Sequence, residues 1–143
     1  MSKALLLVLS AALLFAAPAL ALSHKDSQKL HSLAAKELQV SQVAVKQING
    51  VCVPKNASSH AAAVNCLQAV YVKLRKALAL GAPSYRPIAR RAKGICRKSI
   101  SLHIKFWSQM ASNPLRTDAE IQAFEVPLAE LGISTAAIAR NCG

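Results

Sequence analysis

Residues 86–98 read RPIARRAKGICRK. Arg86, Arg90, Arg91, Lys93, Arg97 and Lys98 stand there without one acidic residue, and Cys96 sits among them. Side chains of this kind recognise anions, since guanidinium and ammonium groups are obligate donors that carry a positive charge. On a continuous helix Arg86, Arg90, Lys93 and Arg97 fall within about 60° of one another, a single ridge with Arg91 and Lys98 on its flanks. Lys73, Arg75 and Lys76 on the preceding segment extend the basic surface.

A charge run is ordinarily a solvated face neutralised by acids elsewhere. Here the balance is against neutralisation, because the chain has 18 Lys and Arg against six Asp and Glu. Between Leu38 and Thr117 no acid occurs at all, and Asp118, Glu120, Glu125 and Glu130 near the C-terminus can cover only part of the ridge. Unmatched charge of this size implies solubility by repulsion or association with something anionic. The expected partner is an anionic surface or an acidic protein: lipid headgroups, an acidic polysaccharide, or an acidic protein face. Nucleic acid is disfavoured by the export signal described below and by few aromatic rings on which bases could stack.

Ile100, Ile104 and Trp107 continue the ridge as an apolar edge. Packing against a last helix accounts for them most simply. The alternative is peripheral contact with a membrane, basic groups toward headgroups and Ile and Trp toward the acyl boundary.

Catalytic constellations are absent from the pattern. There is no Gly-x-Ser-x-Gly elbow, no His-Glu-x-x-His and no phosphate-binding glycine loop. His24 and His31 are seven residues apart without a nearby carboxylate, while His60 and His103 have no sequence-local partner. Paired carboxylates would have to come from Asp26, Glu37 or the four C-terminal acids. We therefore expect no enzyme, cofactor or metal.

The positioning elements begin with a leader, MSKALLLVLSAALLFAAPALA. One lysine, an apolar run, Pro18 and Ala19-Leu20-Ala21 make residues 1–21 a secretory signal peptide, and residues 22–143 a single exported domain, periplasmic or extracellular. No later stretch is apolar enough to span a membrane. Asn56-Ala57-Ser58 is a glycosylation sequon, of consequence only in a eukaryotic secretory route.

Four cysteines in an oxidising compartment imply two disulfides. Apolar periodicity gives four helical segments. The first runs from Ser23 to Ile48 with Leu30, Ala34, Leu38, Ser41, Val45 and Ile48 as its stripe, and the second from His60 to Leu80. The third runs from Ser84 to Ala111, its core face Ile88, Ala92, Ile95, Ser99, Leu102, Phe106 and Met110. The fourth opens at the capping box of Thr117 and Glu120 and breaks near Pro127, with a second break suggested at Gly132. The predicted fold is a small all-α, disulfide-linked four-helix bundle, up-down-up-down. That arrangement brings Cys52 to Cys66 and Cys96 to Cys142, with Cys66 to Cys96 as the rival pairing. Besides the anion-binding reading, an envelope inhibitor or immunity protein docking on an acidic enzyme uses the same charges, and a secreted helical signalling factor follows from fold analogy alone.

Overall fold

The computed structural model of the chain describes residues 22–53 and 57–143. The predicted leader and the Asn56 sequon position lie outside these. The described residues form five α-helices: α1 (His24–Gln47), α2 (His60–Ala79), α3 (Ala82–Arg91), α4 (Gly94–Ser112) and α5 (Asp118–Asn141). A π-helical turn, Ile48–Cys52, prolongs α1, and no strand occurs among the described residues. The protein is a small all-α bundle held by two disulfides.

Side-chain oxygens start three of the helices. The Ser23 hydroxyl accepts from the Asp26 N–H at 3.2 Å and the Ser59 hydroxyl from the Ala62 N–H at 3.1 Å. Thr117 and Glu120 form the expected reciprocal box: Thr117 Oγ1 accepts from the Glu120 N–H, and Glu120 Oε2 from the Thr117 N–H. Each such cap is worth about 1 kcal/mol.

The disulfides join Cys52 to Cys66 and Cys96 to Cys142, as the bundle geometry predicts. The second ties the start of α4 to the end of α5. These two helices make the most extensive pairing in the fold and run antiparallel, with contacts at Ser99–Asn141, His103–Ser134 and Asn113–Glu120.

Two expectations about breaks are corrected. The third segment is two helices, not one. Ala92 and Lys93 are extended, and Gly94 has a φ of 54°, a conformation open to glycine at little cost and to other residues only with strain. The fourth segment, by contrast, is one helix through both Pro127 and Gly132. A proline inside a helix costs about 3 kcal/mol, but α5 buries Ile121, Phe124, Leu131 and Ile138 along its whole length. Burial of each such side chain contributes about 1.5–3 kcal/mol, so packing outweighs the missing hydrogen bond.

Two apolar stripes are also displaced. In α1, Leu38 and Val45 are exposed, and Glu37 and Ala44 take the inner positions. In α4, Ile95 is 64% and Leu102 49% exposed, whereas Cys96, Ser99, Ile100, His103 and Met110 are buried. The inner face of α4 is turned by roughly 60° from the expected one. In both helices an ionisable side chain takes an inner position, and the two, Glu37 and His103, meet inside the bundle.

The core divides into two clusters. One gathers Val70, Tyr71, Leu74, Leu78, Met110, Phe124 and Leu131, and the other Leu30, Tyr85, Ile88, Ile100, Ile138 and the Cys96–Cys142 disulfide.

Candidate functional site

The break at Ala92–Gly94 makes an elbow between α3 and α4, and most of the basic stretch lies on it. Arg86 and Arg90 stand one turn apart on exposed positions of α3, Lys93 immediately precedes α4, and Arg97 and Lys98 occupy exposed positions near its start. The basic groups therefore bend around a corner, where a single straight ridge was expected. Lys93 offers no side-chain cap, so the first N–H groups of α4 add their partial positive charge to the corner.

Two of the predicted binding residues are otherwise engaged. Arg91 grips Asp26 with two hydrogen bonds of 2.7 Å, Nε to Oδ2 and Nη2 to Oδ1. This bidentate contact holds the Asp26 carboxyl below its ordinary range and pins the end of α3 to the start of α1. The Arg75 guanidinium donates to the Asn113 carbonyl, closing α2 on the loop after α4. Lys73 and Lys76 remain exposed on α2, and no hydrogen bond or ion pair links them to the elbow.

The acidic residues do not cover the elbow. Asp118 lies 3.3 Å from His60, Glu120 completes the capping box, and Glu125 accepts from the Tyr71 hydroxyl at 3.1 Å. Among the described residues, Arg91 is the one Lys or Arg in an ion pair. The partial cover expected from the α5 acids is absent.

No protein-family model, curated protein or solved structure matches this chain. What the elbow does must be argued from its own residues.

The apolar edge follows the simpler of its two readings and packs inside the bundle. Ile100 is fully buried beside the Cys96–Cys142 disulfide, and Ile104 and Trp107 are half-buried against the two core clusters. These three face inward, among core residues of α1, α3 and α5.

Inside the bundle lies a polar group that the sequence pattern did not bring together. His103 Nε2 is 3.0 Å from Glu37 Oε2, although the pair is not aligned as a hydrogen bond. His103 Nδ1 is 3.0 Å from Ser134 Oγ, which in turn donates to the Leu131 carbonyl. The Tyr85 ring stacks obliquely on the imidazole with centroids 4.4 Å apart. Burial, and then the nearby Glu37 carboxylate, push the Tyr85 hydroxyl well above the ordinary tyrosine range. The order Glu, His, Ser has the connectivity of a nucleophile relay. Ser134, however, sits in the middle of α5 at 4% exposure, and none of the cavities described below is lined by it. The contacts tie α1, α4 and α5 across the boundary of the two core clusters.

Packing around this group is tight, and the gap bounded by Glu37, Tyr85, His103 and Trp107 leaves no room for a water molecule. Two adjoining grooves of about 350 and 460 Å³ run along the seam of α1 and α2 and share Gln39, Val40 and Ala77. Among the described residues no group of three His, Cys, Asp or Glu is placed to hold a metal ion.

Proposed function

We propose that the chain is a small exported, non-enzymatic protein that recognises an anionic partner through the α3–α4 elbow, with Arg86, Arg90, Lys93, Arg97 and Lys98 as the contacting groups. One observation carries the reading: these five side chains are exposed and, among the described residues, none has a carboxylate within ion-pair distance, while five of the six acids are engaged elsewhere, by Arg91, His103, His60, the Thr117 cap and Tyr71. Concentrating unpaired cations on one corner costs self-repulsion that an anionic partner relieves. The corner itself is held firmly, by Arg91 on Asp26 and by the Cys96–Cys142 disulfide, so the charges are presented in a fixed arrangement. The disulfides suit an oxidising compartment, and among the described residues no helix is long and apolar enough to cross a membrane.

The test compares two double charge reversals that change net charge equally. Arg90→Glu with Arg97→Glu acts on the elbow, and Lys29→Glu with Lys36→Glu acts on exposed positions of α1. Binding of fluorescent heparin, a soluble anionic probe, should weaken about thirtyfold more for the elbow variant, since each of the two surface cations removed near an anionic partner is worth about 1 kcal/mol. Equal weakening would mean that the charge acts only through its total, as a solubilising coat.

A further inference from the structure

The turned face of α4 leaves apolar side chains where the sequence pattern placed the core. Ile95 and Leu102 project into solvent at 64% and 49% exposure, with Lys98 and Lys105 also exposed. At 100° per residue these four lie within an arc of about 80°, and Ile95 and Leu102 stand two turns, roughly 10 Å, apart. Apolar and basic residues thus alternate along one strip that begins at the elbow. From Ala82 to Ser112 the chain has no acidic residue to oppose it.

We infer that the anionic partner is a lipid surface, and that α4 lies along it with Ile95 and Leu102 entering the headgroup boundary between Lys98 and Lys105. The inference rests on the reading of the elbow as an anion-binding face and extends that face along α4. Basic groups at the elbow meet the headgroups, while the lysine stems lie beside the two apolar side chains with their ammonium groups directed outward. An interfacial helix of this kind needs two signals, apolar insertion and charge, because either alone is marginal. Both are present on this strip.

The shape of the strip distinguishes a lipid from an acidic protein. Protein partners concentrate binding in pockets that receive an anchoring side chain. Ile95, Lys98, Leu102 and Lys105 line neither the grooves along α1 and α2 nor those beside the α4–α5 loop and between α2 and α5. An exposed row of alternating apolar and basic side chains suits a deformable surface. Comparable apolar exposure on α5 provides the contrast, since Val126 and Ile133, 67% and 61% exposed, stand near Glu125 and Glu130. An anionic bilayer repels that region.

Co-sedimentation with vesicles of phosphatidylcholine containing phosphatidylglycerol, and with phosphatidylcholine alone, tests the inference at low and physiological salt. The proteins are wild type, Ile95→Ser with Leu102→Ser, and Val126→Ser with Ile133→Ser. All four positions are exposed, and helical circular dichroism verifies folding. Wild type should bind the anionic vesicles and not the neutral ones. The α4 variant should lose about tenfold in affinity at physiological salt, where screening leaves more of the binding to apolar burial. The α5 variant should match wild type.

Undiminished binding by the α4 variant, or an equal loss in the α5 variant, would overturn the inference. Heparin binding by the same preparations separates the two levels. Heparin bound through the elbow without any vesicle binding would refute the lipid surface and leave the anion-binding face standing. Loss of both would refute the elbow as a binding face and the inference with it.

Discussion

The α3–α4 pair and α5 are built from similar material and end differently. Each contains a proline past its first turn, Pro87 in one and Pro127 in the other, and they meet at the Cys96–Cys142 disulfide. Yet α5 runs unbroken for 24 residues, while the other stretch folds into two helices at Gly94. The charges divide in the same way. Four of the six acids lie on α5, three of them engaged by His60, the capping box and Tyr71, whereas the elbow keeps five of its six cations unpaired, Arg91 being held by Asp26. A helix packed along its whole length tolerates a proline. A backbone corner placed at the surface instead offers charge outward.

The sharpest way to dissolve both halves together is alkali. Tyr71 beside Glu125 and Tyr85 beside Glu37 are the two tyrosines of the chain, one anchored to α5 and one carried by α3. Burial, with the neighbouring carboxylate second, raises both above the ordinary value of 10.0. Because the folded values exceed the unfolded ones, the associated stability is fully present below pH 10 and is lost as pH rises beyond it. Phenolate absorbance at 295 nm should therefore stay absent near pH 10 and appear only together with the loss of helical circular dichroism. A smooth titration at pH 10 in a folded protein would contradict the burial of either ring.

Cutting the link between the two halves comes next. Cys96→Ala with Cys142→Ala removes a cross-link of sequence separation 46 and should lower stability by about 4 kcal/mol, against about 3 kcal/mol for Cys52→Ala with Cys66→Ala at separation 14. Urea denaturation of the two variants measures the difference.

Smaller effects test the break itself. Gly94→Val should destabilise by about 2 kcal/mol, because a Cβ there meets no atom within 4 Å and the whole penalty is backbone strain at positive φ. Pro127→Ala should stabilise by about 1 kcal/mol. It relieves roughly 3 kcal/mol of helix penalty and gives up about two buried methylenes at about 0.8 kcal/mol each. Thermal melts of both variants would show opposite signs. The same sign for both would break the comparison between the two stretches.

These contrasts also mark where sequence reading succeeds. The disulfide pairing and the capping box at Thr117 follow from local signals and from neighbouring helices, and both are present. The inner faces of α1 and α4 were misplaced because hydrophobicity is the quantity that periodicity reads, and here Glu37 and His103 occupy core positions in preference to Leu38 and Leu102. Nothing local links a glutamate on α1 to a histidine on α4. The break was assigned to Pro127 because a proline is the stronger local signal, while the long packed face of α5 is a property of the assembled bundle. For the elbow, the exposure of Arg86, Arg90, Lys93, Arg97 and Lys98 was legible. The engagement of Arg91 and Arg75 was not, since their partners lie 65 and 38 residues away.

The central claim is that the elbow is the binding face, and amide chemical-shift mapping tests it most directly. Isotopically labelled oxidised protein would be titrated with bicelles containing phosphatidylglycerol, and again with labelled protein carrying Arg90→Glu and Arg97→Glu. The account predicts shifts concentrated on residues 86–105, centred on Gly94 and absent from the outer face of α5, and their disappearance in the charge-reversed protein. Shifts spread evenly over α1, α2 and α5, or unchanged by the reversal, would contradict it.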